Sequence, residues 1–144
     1  MTIAYYSLTI AQLASFALTL AMTSGNPFAA PLTWVFVFMG LVLAVVGAST
    51  LAMFYTSARW RATKTGFQRR GIYRYVRHPM YTGMMTIALG FVVTGPTVSG
   101  AAAFLMLVVT SYARALVEER ILIEKQPDYS EYVNRTKRFI PWVV

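Results

Sequence analysis

Long apolar stretches separated by short polar breaks run along the chain, in place of the alternation that marks the half-buried elements of a soluble domain. No side chain is charged between Met1 and Ala58, and none between His78 and Ala113. The first uncharged block divides at Thr23-Ser24-Gly25-Asn26-Pro27 and the second at Thr94-Gly95-Pro96-Thr97, both turn-forming. Four apolar segments follow, at 5–22, 32–55, 79–94 and 98–117. A bilayer core takes about 20 helical residues, so three of these are long enough to cross it and the third is short. The expected fold class is an all-α integral membrane protein, a four-transmembrane-helix bundle in a single domain, 1–144, with a cytoplasmic loop at 59–77 and a cytoplasmic, amphipathic tail at 118–144. A short third helix opening after a basic loop leaves room for a site at the cytoplasmic interface. In the second helix, Gly40, Ala44, Ala48 and Ala52 recur every fourth residue, a spacing that allows close helix packing within the bundle or between protomers.

Composition agrees with the pattern. Of 144 residues 57% are hydrophobic and 12% charged, about half the charge that covers a soluble domain. With no cysteine and one histidine, His78, the chain has no thiolate nucleophile, Cys-type zinc site or multi-histidine metal centre. The net charge of +8 would suggest nucleic acid in a soluble protein; beside this hydrophobicity it reads as anchoring to an anionic leaflet, with no nucleic-acid partner. The charges fall in two segments. One holds Arg59, Arg61, Lys64, Arg69, Arg70, Arg74 and Arg77 with no acid, and the other, from Arg114 onward, mixes both signs. The positive-inside rule puts both in the cytoplasm, so the protein is multi-pass with both termini cytoplasmic. The first apolar segment lacks the basic flank and cleavage site of a signal peptide, and too little chain lies outside the membrane for a Rossmann-type nucleotide domain.

Three places carry candidate chemistry. In the run from Gly71 to Gly83, Pro79 suits the first position of a helix and biases His78 toward an extended conformation. The free N–H groups at that helix start, beside Arg77 and His78, would bind a carboxylate or phosphate, and Gly83 would let a ligand approach the backbone. The plainer alternative is a helix start with Arg77 on lipid phosphate and the tyrosines in the interfacial belt. Arg114, with Glu118, Glu119 and Arg120, forms the second group; Arg114 and Glu118 share a helix face. A charge near the end of a membrane helix is costly unless paired, which makes Arg114 a functional candidate as well as a candidate helix-end ion pair. The tail from Asp128 to Trp142 alternates aromatic and charged residues and could lie on the membrane or fold back as a lid.

Arg77-His78-Pro79-x-Tyr81-x-Gly83, a membrane helix pair, Glu118-Glu119, Tyr129-x-x-Tyr132 and Arg138-Phe139-Ile140-Pro141 occur in that order. The set resembles the isoprenylcysteine carboxyl methyltransferase and phospholipid methyltransferase superfamily, integral-membrane enzymes that use S-adenosylmethionine. The resemblance covers about half the chain. It implies a cofactor pocket contributed to by Arg77, His78, Pro79, Tyr81, Gly83, Glu118 and Glu119, with Arg138 and Pro141 covering it. It further implies that Arg114 is linked to activity.

Methyl transfer from a sulfonium is an in-line displacement that needs positioning and water exclusion more than a strong acid or base. A carboxylate acceptor would be held by Arg114, while an amine acceptor would need Glu118 or Glu119 as base. Arg114 and Glu118 are therefore the expected catalytic pair, and carboxyl O-methylation of a prenylated, isoprenylcysteine-type substrate the favoured reaction. The alternatives are N-methylation of a phospholipid, an NADPH-dependent sterol-type reductase, which carries a similar Arg-His-Pro piece, and a non-catalytic membrane scaffold. Membrane lipids and a lipophilic small molecule are the expected partners, and no metal is expected.

Overall fold

A computed structural model describes residues 2–56 and 66–141. Arg59, Arg61 and Lys64 of the expected loop and Trp142 of the tail lie outside the described residues. The chain is all-helical: α1 (Thr2–Ala21), α2 (Pro31–Thr56), α3 (Pro79–Thr94), α4 (Val98–Lys125) and α5 (Tyr129–Arg135), with short 3-10 turns at Pro27–Ala29 and Gly71–Arg74. Among the described residues there is no strand, only a parallel bridge between Val76 and Lys137.

Among the described residues two helices, α2 and α4, are long and apolar enough to cross a membrane, and α1 and α3 are shorter apolar helices. A soluble core helix would be mostly buried. Here only 11% of the most apolar stretch of α2 and 22% of that of α4 is covered by protein. Trp34, Val35, Phe38, Leu41 and Val45 face outward instead, an apolar surface that lipid accommodates and water does not.

Helix α2 packs along α3 and α1 along α4, and α3 touches both α1 and α4. The first pair meets backbone to backbone. A Cβ on Gly40 would lie 2.5 Å from the Gly83 carbonyl oxygen, and one on Gly83 2.5 Å from that of Gly40; Gly47 lies 3.0 Å from Pro79 by the same measure. The small residues of α2 therefore pack inside the bundle, although Ala48 and Ala52 are exposed. A four-residue step drifts about 40° around a helix, whereas seven residues nearly close two turns, so Gly47 and not Ala48 stays on the face. The α1–α4 pair is polar where it is most buried: Gln12, Ser15 and Thr19 lie against α4, and Gln12 Nε2 donates to Ser111 Oγ at 2.9 Å.

The turns 22–30 and 94–97 interlock at one end. Ser24 N–H donates to the Gly95 carbonyl at 3.1 Å. Thr97 Oγ1 caps α4 by accepting from Gly100 N–H at 2.9 Å and also donates to the Met22 carbonyl. Thr33 and Thr94 hydroxyls meet at 2.8 Å, with Phe28 edge-on to Phe91.

At the other end the helices are staggered. As expected, α3 starts at Pro79, capped by His78. Because Pro79 lies beside Gly47, the nine residues of α2 beyond Gly47 rise about 14 Å above the start of α3. Helix α4 also continues past the expected boundary at 117, to Lys125, so Glu118 and Glu119 are helical and not part of the tail. Residues 66–78 and the tail fill the space over the shorter α3. Of the two arrangements open to the tail, folding back is observed. Arg77 N–H donates to the Lys137 carbonyl at 2.8 Å, His78 N–H to that of Arg138 at 3.0 Å, and Lys137 N–H to that of Tyr75 at 3.2 Å. Arg69 meets Asp128 at 3.3 Å, so the two charged segments occupy one end of the bundle.

Candidate active site

Over the start of α3 lies a cavity of about 710 Å³, within the 300–1,000 Å³ of small-molecule sites. Its wall is aromatic, with Tyr5, Tyr6, Tyr55, Phe67, Tyr73 and Tyr81 among its residues, and Arg77, His78, Arg114, Glu118 and Glu124 supply charge.

Behind this wall, Glu119 is a hub. It is 5% exposed and accepts from Arg77 Nε at 2.8 Å, Arg138 Nε at 3.0 Å and Arg138 Nη2 at 2.7 Å. Arg77 Nη1 donates to the carbonyls of Val133 and Thr136, at 3.0 and 2.5 Å. Its guanidinium therefore ties α4 to the tail. The hydrogen bond with Glu119 raises the pKa of the Arg138 guanidinium, whose other face covers Tyr112 at 4.9 Å. Thr82 Oγ1 donates to the Phe139 carbonyl at 2.9 Å, and Phe139 is buried beside Tyr81.

His78 lies between the two glutamates, Nδ1 3.4 Å from Glu118 Oε2 and Nε2 3.2 Å from Glu119 Oε1. A neutral imidazole donates from one nitrogen only, so a carboxylate at each favours the imidazolium. Burial pulls the His78 pKa down, but the hydrogen bonds to Glu118 and Glu119 outweigh it and hold it above the ordinary value. The ring stacks on Tyr81 at 5.1 Å and 10°. Burial also pushes the Tyr73 phenol up to about 12, so it stays neutral.

Arg114 takes a different position. Its Nη1 donates to Gln12 Oε1 at 2.7 Å and its Nη2 to Tyr5 Oη at 2.9 Å, and its guanidinium lies 5.0 Å from the ring centres of both Tyr5 and Tyr81. Nε is 3.3 Å from Glu118 Oε1, in ion-pair contact but outside hydrogen-bonding geometry. Among the described residues it is the one buried side-chain polar atom without a hydrogen bond. Glu118 accepts instead from Tyr81 Oη at 2.5 Å.

The family model for phospholipid methyltransferases matches residues 28–126. The chain belongs to the phospholipid methyltransferase family. No curated protein and no solved structure gives a significant match. In this phospholipid methyltransferase family member the match takes in α2, α3 and α4, and leaves out α1, Arg138 and Pro141. The membrane assignment follows from the family together with the outward-facing apolar helices.

Arg77, His78, Pro79, Tyr81, Arg114 and Glu118 all line the cavity. The other expected residues stand apart from it. Gly83 is spent on the crossing with Gly40, Glu119 and Arg138 form the clamp behind the wall, and Pro141 lines a smaller apolar groove with Ile72, Val76 and Phe139. Sequence reasoning missed Tyr5, Phe67 and Gln12. Gln12 had a signal, being the lone carboxamide in α1, where a polar side chain in an apolar helix faces the protein interior by default.

Proposed function

We propose that the protein is an S-adenosylmethionine-dependent methyltransferase whose cofactor and lipid head meet in the 710 Å³ cavity. The Nε–H of Arg114 carries this reading: a buried cationic donor on a cavity wall that touches Glu118 but makes no hydrogen bond marks where a ligand's anionic oxygen completes the arrangement. The cavity also fits the cofactor's other parts. Tyrosine faces attract a sulfonium, and Glu118 and Glu124 accept from hydroxyl or ammonium groups. When bound, the cofactor supplies an electrophilic methyl group and departs as a neutral thioether.

Arg114 Nη1 donates to Gln12 and Nη2 to Tyr5, which leaves Nε as the guanidinium nitrogen without a hydrogen bond. The family match favours a phospholipid with an amine head over the prenylated carboxylate. A phosphate oxygen takes the Arg114 Nε–H, and Glu118 accepts the proton that the ammonium loses before nitrogen can attack carbon. A carboxylate acceptor remains the second reading, favoured by the same N–H.

Labelled cofactor, with phosphatidylethanolamine and a farnesylated cysteine analogue offered separately, tests the two. Transfer to the amine lipid, reduced about a hundredfold or more by Glu118→Gln through loss of the base, is expected. Transfer to the farnesylated analogue alone, undiminished in Glu118→Gln and abolished in Arg114→Glu, establishes carboxyl methylation instead.

We further infer four membrane crossings with both termini cytoplasmic. Support comes from the Arg69–Asp128 pair, which joins the charged segments, and from the turn at 22–30 at the opposite end. A membrane-impermeant thiol reagent should label Asn26→Cys and spare Ser130→Cys in intact cells; the converse pattern inverts the topology.

A further inference from the structure

We propose that Gln12 is a positioning residue for Arg114, holding its guanidinium out of a bidentate pair with Glu118 so that its Nε–H is left for the acceptor, an inference that rests on the methyltransferase reading above. Gln12 is fully buried in α1, outside the segment that the family model matches. Both ends of its carboxamide are engaged: Oε1 accepts from Arg114 Nη1 at 2.7 Å and Nε2 donates to Ser111 Oγ at 2.9 Å. The orientation of the amide is thereby fixed, since reversing it would set an NH₂ against the guanidinium N–H groups. Two turns earlier on the same face of α1, Tyr5 accepts from Nη2.

The alternative placement shows what this arrangement does. Arg114 and Glu118 are one turn apart on α4, a spacing that ordinarily allows direct pairing, and an unrestrained arginine prefers the bidentate fork on a carboxylate. Such a pair would withdraw the Nε–H from the cavity. Gln12 and Tyr5 instead take both terminal nitrogens, and Arg114 touches Glu118 through Nε alone, without a hydrogen bond. Helix α1 thus contributes acceptors that limit the Arg114–Glu118 pair to a single contact through Nε.

The test compares Gln12→Leu, which keeps the bulk and removes both hydrogen bonds, with Gln12→Glu, which keeps an acceptor for Arg114. Activity is counted per folded molecule in detergent. Gln12→Leu is expected to lower kcat/KM for the acceptor about tenfold or more, the loss of a hydrogen bond to a charged group, with affinity for S-adenosylhomocysteine unchanged. Gln12→Glu should restore it to within about threefold of wild type, and Ser111→Ala should cost about two- to threefold, the loss of a neutral hydrogen bond. Unchanged kcat/KM in Gln12→Leu, or Gln12→Glu as impaired as Gln12→Leu, overturns the proposal. Should Gln12→Leu not fold, Gln12→Asn withdraws the amide by one methylene and is read against the same expectation.

A second readout does not depend on turnover. With ¹⁵N-labelled arginine, the terminal nitrogens of Arg114 should give two distinct resonances in the wild type, identified by their loss in Arg114→Lys, and one averaged signal in Gln12→Leu. Distinct signals in wild type without lipid methylation refute the enzyme reading while sustaining the positioning of Arg114. A single averaged signal in wild type refutes the positioning whatever the activity.

Discussion

The two ends of the bundle are closed by different chemistry. At the turn end, the hydroxyls of Thr33, Thr94 and Thr97 and the bond from Ser24 N–H to the Gly95 carbonyl hold the connections together. All of these groups are neutral, and they too join segments far apart in sequence. At the site end, Arg77, His78, Arg138, Glu118 and Glu119 converge from segments far apart in sequence. Neutral groups can be buried cheaply once each is hydrogen-bonded, whereas buried charges are stable only as a complete set. The difference teaches that one end is a permanent closure and the other depends on every member being present and correctly protonated.

Removing the hub should have the largest effect. Glu119→Ala leaves the buried Arg77 and the half-buried Arg138 without their carboxylate, at a cost of about 3–5 kcal/mol, and should release the tail from α4. Thermal unfolding in detergent and protease sensitivity between 126 and 141 measure this, and an unaltered tail would show that the clamp is incidental. Titrating His78 comes next. Below about 6.5 the imidazole is protonated in folded and unfolded chains alike, and its ion pairs contribute in full. As pH rises further the unfolded chain gives up its proton first, so the contribution declines and is gone once pH passes the raised folded value. The wild-type melting temperature should therefore fall across this window relative to that of His78→Gln. The smallest effect is expected at the neutral end, where Thr97→Ala removes the N-cap of α4 at a cost of about 1 kcal/mol. Its curve of melting temperature against pH should run parallel to that of wild type, because nothing at the turn end titrates.

The positions of the helices were legible in the sequence because hydropathy reports the environment of each residue independently. The start of α3 was legible from His78-Pro79, whose backbone restrictions are local. Hydropathy did not give the end of α4: the helix runs on through Glu118 to Lys125, and charge marks where lipid ends, not where helical hydrogen bonding ends. The candidate site was legible as a set of residues but not as an arrangement. Gly83 resembled a place for ligand approach and is instead spent on Gly40, a contact between residues 43 positions apart that no local pattern reveals. Arg114 resembled an open anion clamp because its partners, Tyr5 and Gln12, lie more than 100 residues away.

The strap formed by residues 136–139 also orders the making of the protein. Synthesis runs from the N-terminus, so the four long helices are made before Arg138 and Phe139, which fasten onto Glu119 and beside Tyr81. Contacts between helices do not need the strap, whereas the strap needs Glu119 and Tyr81 to be in place. The clamp on Glu119 therefore gains its second arginine only after the segments that it fastens exist.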